Sequence, residues 1–288
     1  MKTVCYKTIG DVRLLGDFYS TGQASSPVVV YIHGGGFIFG SRKEIPKDQV
    51  ERYNTAGFHV FSIDYRLAPE TRLTAIVEDV LDAIHLLQSH ASVELGVEPS
   101  SIGVVGHSAG GYLALLAGAR EPELAAVVSF YGYGDIRAAW ATQASSHYLQ
   151  KPLVPRKLAD QLIEGEVLTE ASVQQRFGLY LYCRQQGTWF QEVTGLDPEW
   201  DQEELEALCP VEAVTAQYPP TLLLHGEQDN DVPYTQSVQM AERLEHAGVA
   251  HTLITLPGED HLFDLQKDKE SVRQALVQEL DFLRNHLL

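Results

Sequence analysis

Gly106-His107-Ser108-Ala109-Gly110 is the stretch that decides how this chain reads. It fits GxSxG and stands where that pattern carries meaning: after the apolar run Ile102 to Val105, which reads as a buried strand, and before a helical spacing that begins at Ala109. A serine on so sharp a strand-to-helix turn is held in strained backbone geometry with its hydroxyl projecting. Glycines at 106 and 110 remove side chains that would collide there, and Gly111 extends the allowance. Ser108 is therefore the candidate nucleophile.

The strand and helix around Ser108 belong to an alternating pattern. Runs rich in Val and Ile recur at Val28 to Ile32, His59 to Asp64, Ile102 to Val105, Val127 to Tyr131, Thr221 to His225 and His251 to Leu256. Helical spacing fills Ala75 to Leu87, Ala109 to Ala119, Tyr234 to Ala247 and Ser271 to Leu287. Alternation of this kind predicts an α/β fold, a mostly parallel sheet with helices on both faces. Thr3 to Tyr19 alternates around Gly10-Asp11, which predicts an antiparallel hairpin at one edge. Gly132 to Tyr218 is too long for a plain connection. It carries Trp140, Trp189 and Trp200 with Tyr148, Phe177, Tyr180, Tyr182 and Phe190, and reads as a helical insertion that caps the site. The expected organisation is core 1–131, cap 132–218 and core 219–288.

With 288 residues, 44% hydrophobic and 21% charged, the chain has ordinary globular usage and can bury a sizeable core. Its net charge of −18 repels phosphate backbones and anionic headgroups, so neither nucleic acid nor membrane is an expected partner. No apolar stretch suits a secretory signal or a span, and the default expectation is cytoplasmic. Cys5, Cys183 and Cys209 are far apart and outside any CxxC, and read as buried free thiols. With no HExxH and no converging histidine spacing, no metal and no cofactor is expected.

Acyl chemistry needs more than a serine. His33-Gly34-Gly35-Gly36-Phe37 follows the run Val28 to Ile32 and matches the HGGG-type oxyanion motif. Gly35, Gly36 and Ala109 are the candidate N–H donors to a developing oxyanion. A phosphate cradle is the rival reading, but Ser41-Arg42 stands where a Walker loop needs Lys then Ser or Thr, and Phe39 occupies the last glycine of a dinucleotide fingerprint. His33 reads as a brace for the loop. The candidate base is His261, in the loop Pro257 to Phe263 after a strand end; His85, His90, His246 and His286 sit on helical spacing and His251 starts a strand. For the acid, Asp229 and Asp231 compete after the run Thr221 to His225; Asp229, nearer the strand end, is preferred, and Asp231 reads as a turn or cap residue. Asp64, Arg66 and Glu70 read as one polar network bracing the oxyanion loop. Phe37, His107, Trp140, Tyr182 and Trp189 are the candidate pocket residues.

Taken in order, HGGGF, Tyr65-Arg66-Leu67-Ala68-Pro69-Glu70, GHSAGG, HGEQDNDVP and GEDH span His33 to His261, and the chain resembles a serine carboxylesterase of the α/β-hydrolase superfamily. HGGG and YRLAPE are similar to the hormone-sensitive-lipase-like esterases, although that group usually has Asp where His107 stands. GHSAGG and HGxxDxxVP are more similar to prolyl-oligopeptidase-like, feruloyl-esterase or arylformamidase types. The resemblance implies hydrolysis of a small, short-acyl carboxylic ester by Ser108, Asp229 and His261, as a monomer or homodimer. The alternatives are an amidase or peptidase and a feruloyl or acetyl esterase of carbohydrate esters. A non-catalytic binding protein on the same fold would commonly lack one of the three residues.

Overall fold

The computed structural model describes residues 1–89, 91–163 and 165–288, so the helical reading of His90 lies outside the described residues. Eight strands form one sheet: β1 (Lys2–Ile9), β2 (Val12–Tyr19), β3 (Ser26–Ile32), β4 (His59–Ile63), β5 (Val97–His107), β6 (Ala126–Phe130), β7 (Thr221–Gly226) and β8 (His251–Leu256). Their order is β1-β2-β4-β3-β5-β6-β7-β8. β1 and β2 pair antiparallel, as does β2 with β4, and every pair from β4 through β8 is parallel. The expected hairpin and parallel sheet are both present.

Alternation along each strand separates two apolar layers. Val28, Val30 and Ile32 of β3 face one side while Val29 and Tyr31 face the other, and β7 divides Leu223 from Leu222 and Leu224 in the same way. Helices Leu73–Gln88, Ala109–Arg120 and Thr235–His246 cover the first face; Lys47–Thr55 and Glu270–Leu287 cover the second. Ala109–Arg120 is buried from Ala109 through Gly118, so it shows no polar stripe. Helix Lys47–Thr55 was not legible from apolar spacing, because it buries Gln49, Val50 and Tyr53 rather than an aliphatic stripe. Tyr53 donates to buried Glu279, and Arg52 Nη2 lies 3.2 Å from the same carboxylate. Unpaired, that carboxylate would cost several kcal/mol.

Between β6 and β7 the chain forms short helices, the longest being Val173–Gln186. That helix starts at a capping box, Ser172 with Gln175, and stops at Gly187, whose φ of 69° is left-handed. Leu179, Tyr180, Cys183, Trp189 and Phe190 join the same apolar cluster as the sheet face beneath them, so these aromatics do not form a core of their own. Cys183 and Cys209 are buried free thiols, whereas Cys5 is only half-buried on the edge strand, where one side of the sheet is wet. Among the described residues no helix is long and apolar enough to cross a membrane.

Candidate active site

Ser108 sits between the end of β5 and the helix Ala109–Arg120 with φ 55° and ψ −116°, a conformation that costs on the order of 1–3 kcal/mol for a side-chain-bearing residue. The turn is held by Ser108 N–H donating to Phe130 O (2.9 Å) and Tyr112 N–H donating to Ser108 O (3.0 Å). A Cβ at Gly106 would lie 1.9 Å from Gly110 O, so the crossing of strand and helix tolerates no side chain.

His261 Nε2 lies 3.1 Å from Ser108 Oγ, and its Nδ1 lies 2.7 Å from Asp229 Oδ2. The tautomer with hydrogen on Nδ1 leaves Nε2 free to accept the serine proton. The other Asp229 oxygen, Oδ1, accepts the N–H groups of Asp231 (2.9 Å) and Val232 (2.8 Å). Burial works against the Asp229 charge, but hydrogen bonds from His225 and His261 outweigh it and hold the carboxyl well below its ordinary range. For His261, burial disfavours the charged form, yet the Asp229 hydrogen bond and charge, backed by Asp231 and Asp260, raise it above the ordinary imidazole value.

Asp231, the competing acid, has a different partner. Its Oδ1 accepts from Tyr180 Oη (2.7 Å) and Arg184 Nη1 (2.8 Å), and its carbonyl accepts from Arg184 Nη2 (3.0 Å). It thus ties the acid loop to the helix Val173–Gln186. Asp260 ties the acid loop to the base loop: its Oδ1 accepts from Asn230 N–H (2.8 Å) and from His261 N–H (2.7 Å). In the sequence Asp231 reads only as a rival acid or turn residue, and neither tie is legible there.

The glycine loop is shaped by what holds its carbonyls. Tyr65 Oη donates to His33 O (3.0 Å) and Gly34 O (3.1 Å), His33 Nδ1 donates to Gly34 O (2.8 Å), and Gly35 O accepts from Ile38 and Phe39 N–H (3.0 and 3.2 Å). In a planar trans peptide the next N–H points opposite to the carbonyl. The N–H groups of Gly35 and Gly36 therefore point away from those donors, and Ala109 N–H points out of its helix end; none of the three has an acceptor among the described residues. Gly35 has φ 98°, and a Cβ there would lie 2.0 Å from Phe39 O. His33 stacks on Tyr65 and burial lowers it to about 4, which suits a neutral brace.

A cavity of about 540 Å³ opens over Ser108 and His261. One side carries the aromatics Phe39, Tyr148, Phe177 and Tyr180 together with Val173. The other holds Tyr31, Glu44, His107, Tyr131 and Asp264, and no lysine or arginine lines it among the described residues. His107 does line the cavity, stacked on Phe130. Phe37, Trp140, Tyr182 and Trp189 do not, which corrects the expected wall. Tyr182 lies two residues from Tyr180, about 200° around the helix, so it cannot share the face of Val173, Phe177 and Tyr180. Trp189 lies behind the glycine loop, where Nε1 donates to Gly36 O (3.1 Å) and the ring stacks on Phe37 and meets Trp140.

Asp64, Arg66 and Glu70 also part company. Asp64 pairs with Arg42, Arg66 with Asp79 (2.7 Å), and Glu70 with Arg176 of the insertion (2.9 Å). They form separate pairs; the segment reaches the glycine loop instead through the Tyr65 hydroxyl on His33 O and Gly34 O and through its backbone, Ala68 N–H donating to Phe37 O (2.8 Å).

Similar proteins share this fold. A protein from Staphylococcus aureus subsp. aureus Mu50 superposes with TM-score 0.83 at 24% identity, covering 100% of both chains. A bacterial heroin esterase superposes with TM-score 0.75 at 24% identity, over 100% of this chain and 84% of that one. In sequence, the non-reducing polyketide synthase pkbA of Emericella nidulans is 28% identical over 100% of this chain, which spans only 14% of that protein's length. The superpositions identify the α/β-hydrolase fold. The model of the BD-FAE family matches residues 17–244, and the chain belongs to that family.

Proposed function

We propose that the chain hydrolyses small carboxylic esters through an acyl-enzyme on Ser108. The observation that carries this reading is the continuous chain Ser108 Oγ to His261 Nε2 (3.1 Å) and His261 Nδ1 to Asp229 Oδ2 (2.7 Å) on the floor of the cavity. In the first half-reaction His261 takes the Ser108 proton as Oγ attacks the carbonyl carbon. The oxyanion would be met by the N–H groups of Gly35, Gly36 and Ala109, each such donor being worth on the order of 2.7–4 kcal/mol. His261 then passes the proton to the departing alcohol; in the second half-reaction it takes a proton from a water that attacks the acyl carbon, and returns that proton to Ser108 Oγ as the C–O bond breaks and the acid leaves. Asp229 keeps His261 in the working tautomer and stabilises the imidazolium.

The helices of 132–218 serve in this reading as a cap whose aromatic wall, Phe177, Tyr180 and Tyr148, limits chain length. Acetyl to butyryl esters are the expected substrates and long-chain triglycerides poor ones. The carboxylates Glu44, Asp231, Asp260 and Asp264 around the cavity disfavour anionic substrates. Ser108→Ala should fold normally and lose hydrolysis of a chromogenic short-chain ester by several orders of magnitude. Activity retained in that variant would refute the reading.

A further inference from the structure

We propose that His225 is a positioning residue that sets how strongly Asp229 holds the proton of His261. The proposal rests on the reading of Ser108, His261 and Asp229 as a hydrolytic triad. His225 lies at the end of β7 and is fully buried. Its Nε2 is 3.0 Å from Val232 O and 3.1 Å from Asp229 Oδ2, and its Nδ1 is 2.7 Å from Ser237 Oγ. A carbonyl and a carboxylate only accept, so Nε2 carries a hydrogen, and the Ser237 hydroxyl is left to donate to Nδ1. Ser237 belongs to the helix Thr235–His246, so the orientation of the imidazole is set from outside the acid loop.

The consequence falls on one oxygen. Asp229 Oδ2 receives two imidazole donors, His261 from the solvent side and His225 from the core, while Oδ1 is occupied by backbone N–H groups. Each donor draws charge from the carboxylate and makes it a weaker acceptor for the others. With His225 in place, Asp229 orients His261 without binding its proton so tightly that the base stays charged at neutral pH. Other groups facing the pair are Asp231 with Arg184 upon it, Asp260 in the base loop, Tyr131, whose ring packs on His261, and Tyr234, edge-on to His225. No substitution below alters any of them.

The test compares His225→Leu, which removes the donor, His225→Gln, which keeps a donor of similar reach, and Ser237→Ala, which frees the ring. The readouts are kcat/KM for a short-chain ester across about pH 5 to 9, thermal unfolding, and the rate at which a fluorophosphonate labels Ser108 over the same range. In His225→Leu, kcat should fall about tenfold with KM nearly unchanged. Its acid limb should move upward by about half a pH unit or more, because Asp229 has lost a donor and holds the His261 proton more tightly. His225→Gln should return the limb to its wild-type place, and Ser237→Ala should move it the same way by less. A folded His225→Leu with the wild-type limb overturns the proposal; if that variant does not fold, an unmoved limb in Ser237→Ala overturns it. Wild-type protein whose Ser108 does not label refutes the triad itself, and the proposal falls with it, whereas normal labelling with unmoved limbs in the variants sinks this proposal alone.

Discussion

On one side of the cleft, Ser108, Asp229 and His261 follow the carboxyl ends of β5, β7 and β8; on the other, Val173, Phe177 and Tyr180 come from one face of a helix in the insertion. The first side is built from backbone: a positive φ at Ser108, N–H groups into Asp229, and Asp260 tying two loops together. Glycines at 34, 35, 106, 110 and 226, where a Cβ would clash with backbone, surround these atoms. The second side is built from side chains on a regular helix, where another residue of similar size would still make a wall. Chemistry demands fixed geometry and leaves motifs, whereas a wall demands only volume and leaves a helical period. The two sides meet at Asp231, which takes Tyr180 and Arg184 from the insertion while sitting two residues from Asp229.

The sharpest way to break the comparison is at that meeting point. Asp229→Asn should lower kcat by about 10⁴-fold in a folded protein, since an amide cannot hold the required His261 tautomer. Asp231→Asn should leave kcat within about tenfold and instead weaken the fold by ~3 kcal/mol, because it leaves the buried Arg184 guanidinium without its charge partner. Steady-state kinetics with urea unfolding checks both, and a reversal of the two effects would move the catalytic acid to Asp231.

A smaller effect separates the wall from its support. Trp189→Ala should lose ~3–5 kcal/mol of stability through the cavity it leaves behind the glycine loop, with the acyl-chain preference kept among molecules that fold. Phe177→Ala should do the opposite, costing little stability and extending the preferred acyl chain by a few carbons. Relative kcat/KM for acetyl through octanoyl esters decides; an unchanged profile in Phe177→Ala would remove the insertion helix from specificity.

The smallest expected effect is on pH. Because the aspartates around His261 raise it despite burial, and only the neutral imidazole accepts the serine proton, the acid limb of kcat/KM should lie above the ordinary value near 6.5. A limb at or below that value would mean that burial wins over Asp229.

Much of this molecule was legible in its residues. Strand runs at 28–32 and 221–225 and the helix at 109 match elements of the structure because they are buried along nearly their whole length, while the edge strand at 251–256 was legible from its β-branched and apolar residues although it is only half-buried. Helix Lys47–Thr55 was hidden, since its buried side consists of Gln49, Val50 and Tyr53, and Tyr53 has its partner in Glu279, more than two hundred residues away. Asp64, Arg66 and Glu70 were read as one network only because they are neighbours in sequence.

By itself the sequence determined the sheet, the strand-end loops and the places of the candidate serine, acid and histidine along the chain, because local backbone demands select glycine, β-branched and motif residues at specific positions. Only the tertiary structure decided which tryptophans support and which aromatics face the cavity, that Asp231 belongs to the insertion's Arg184, and that His225 stands behind Asp229. Those relations join residues that are remote in the chain or lie on different faces of one turn. Their free energy depends on burial and mutual orientation, and neither has a local signature.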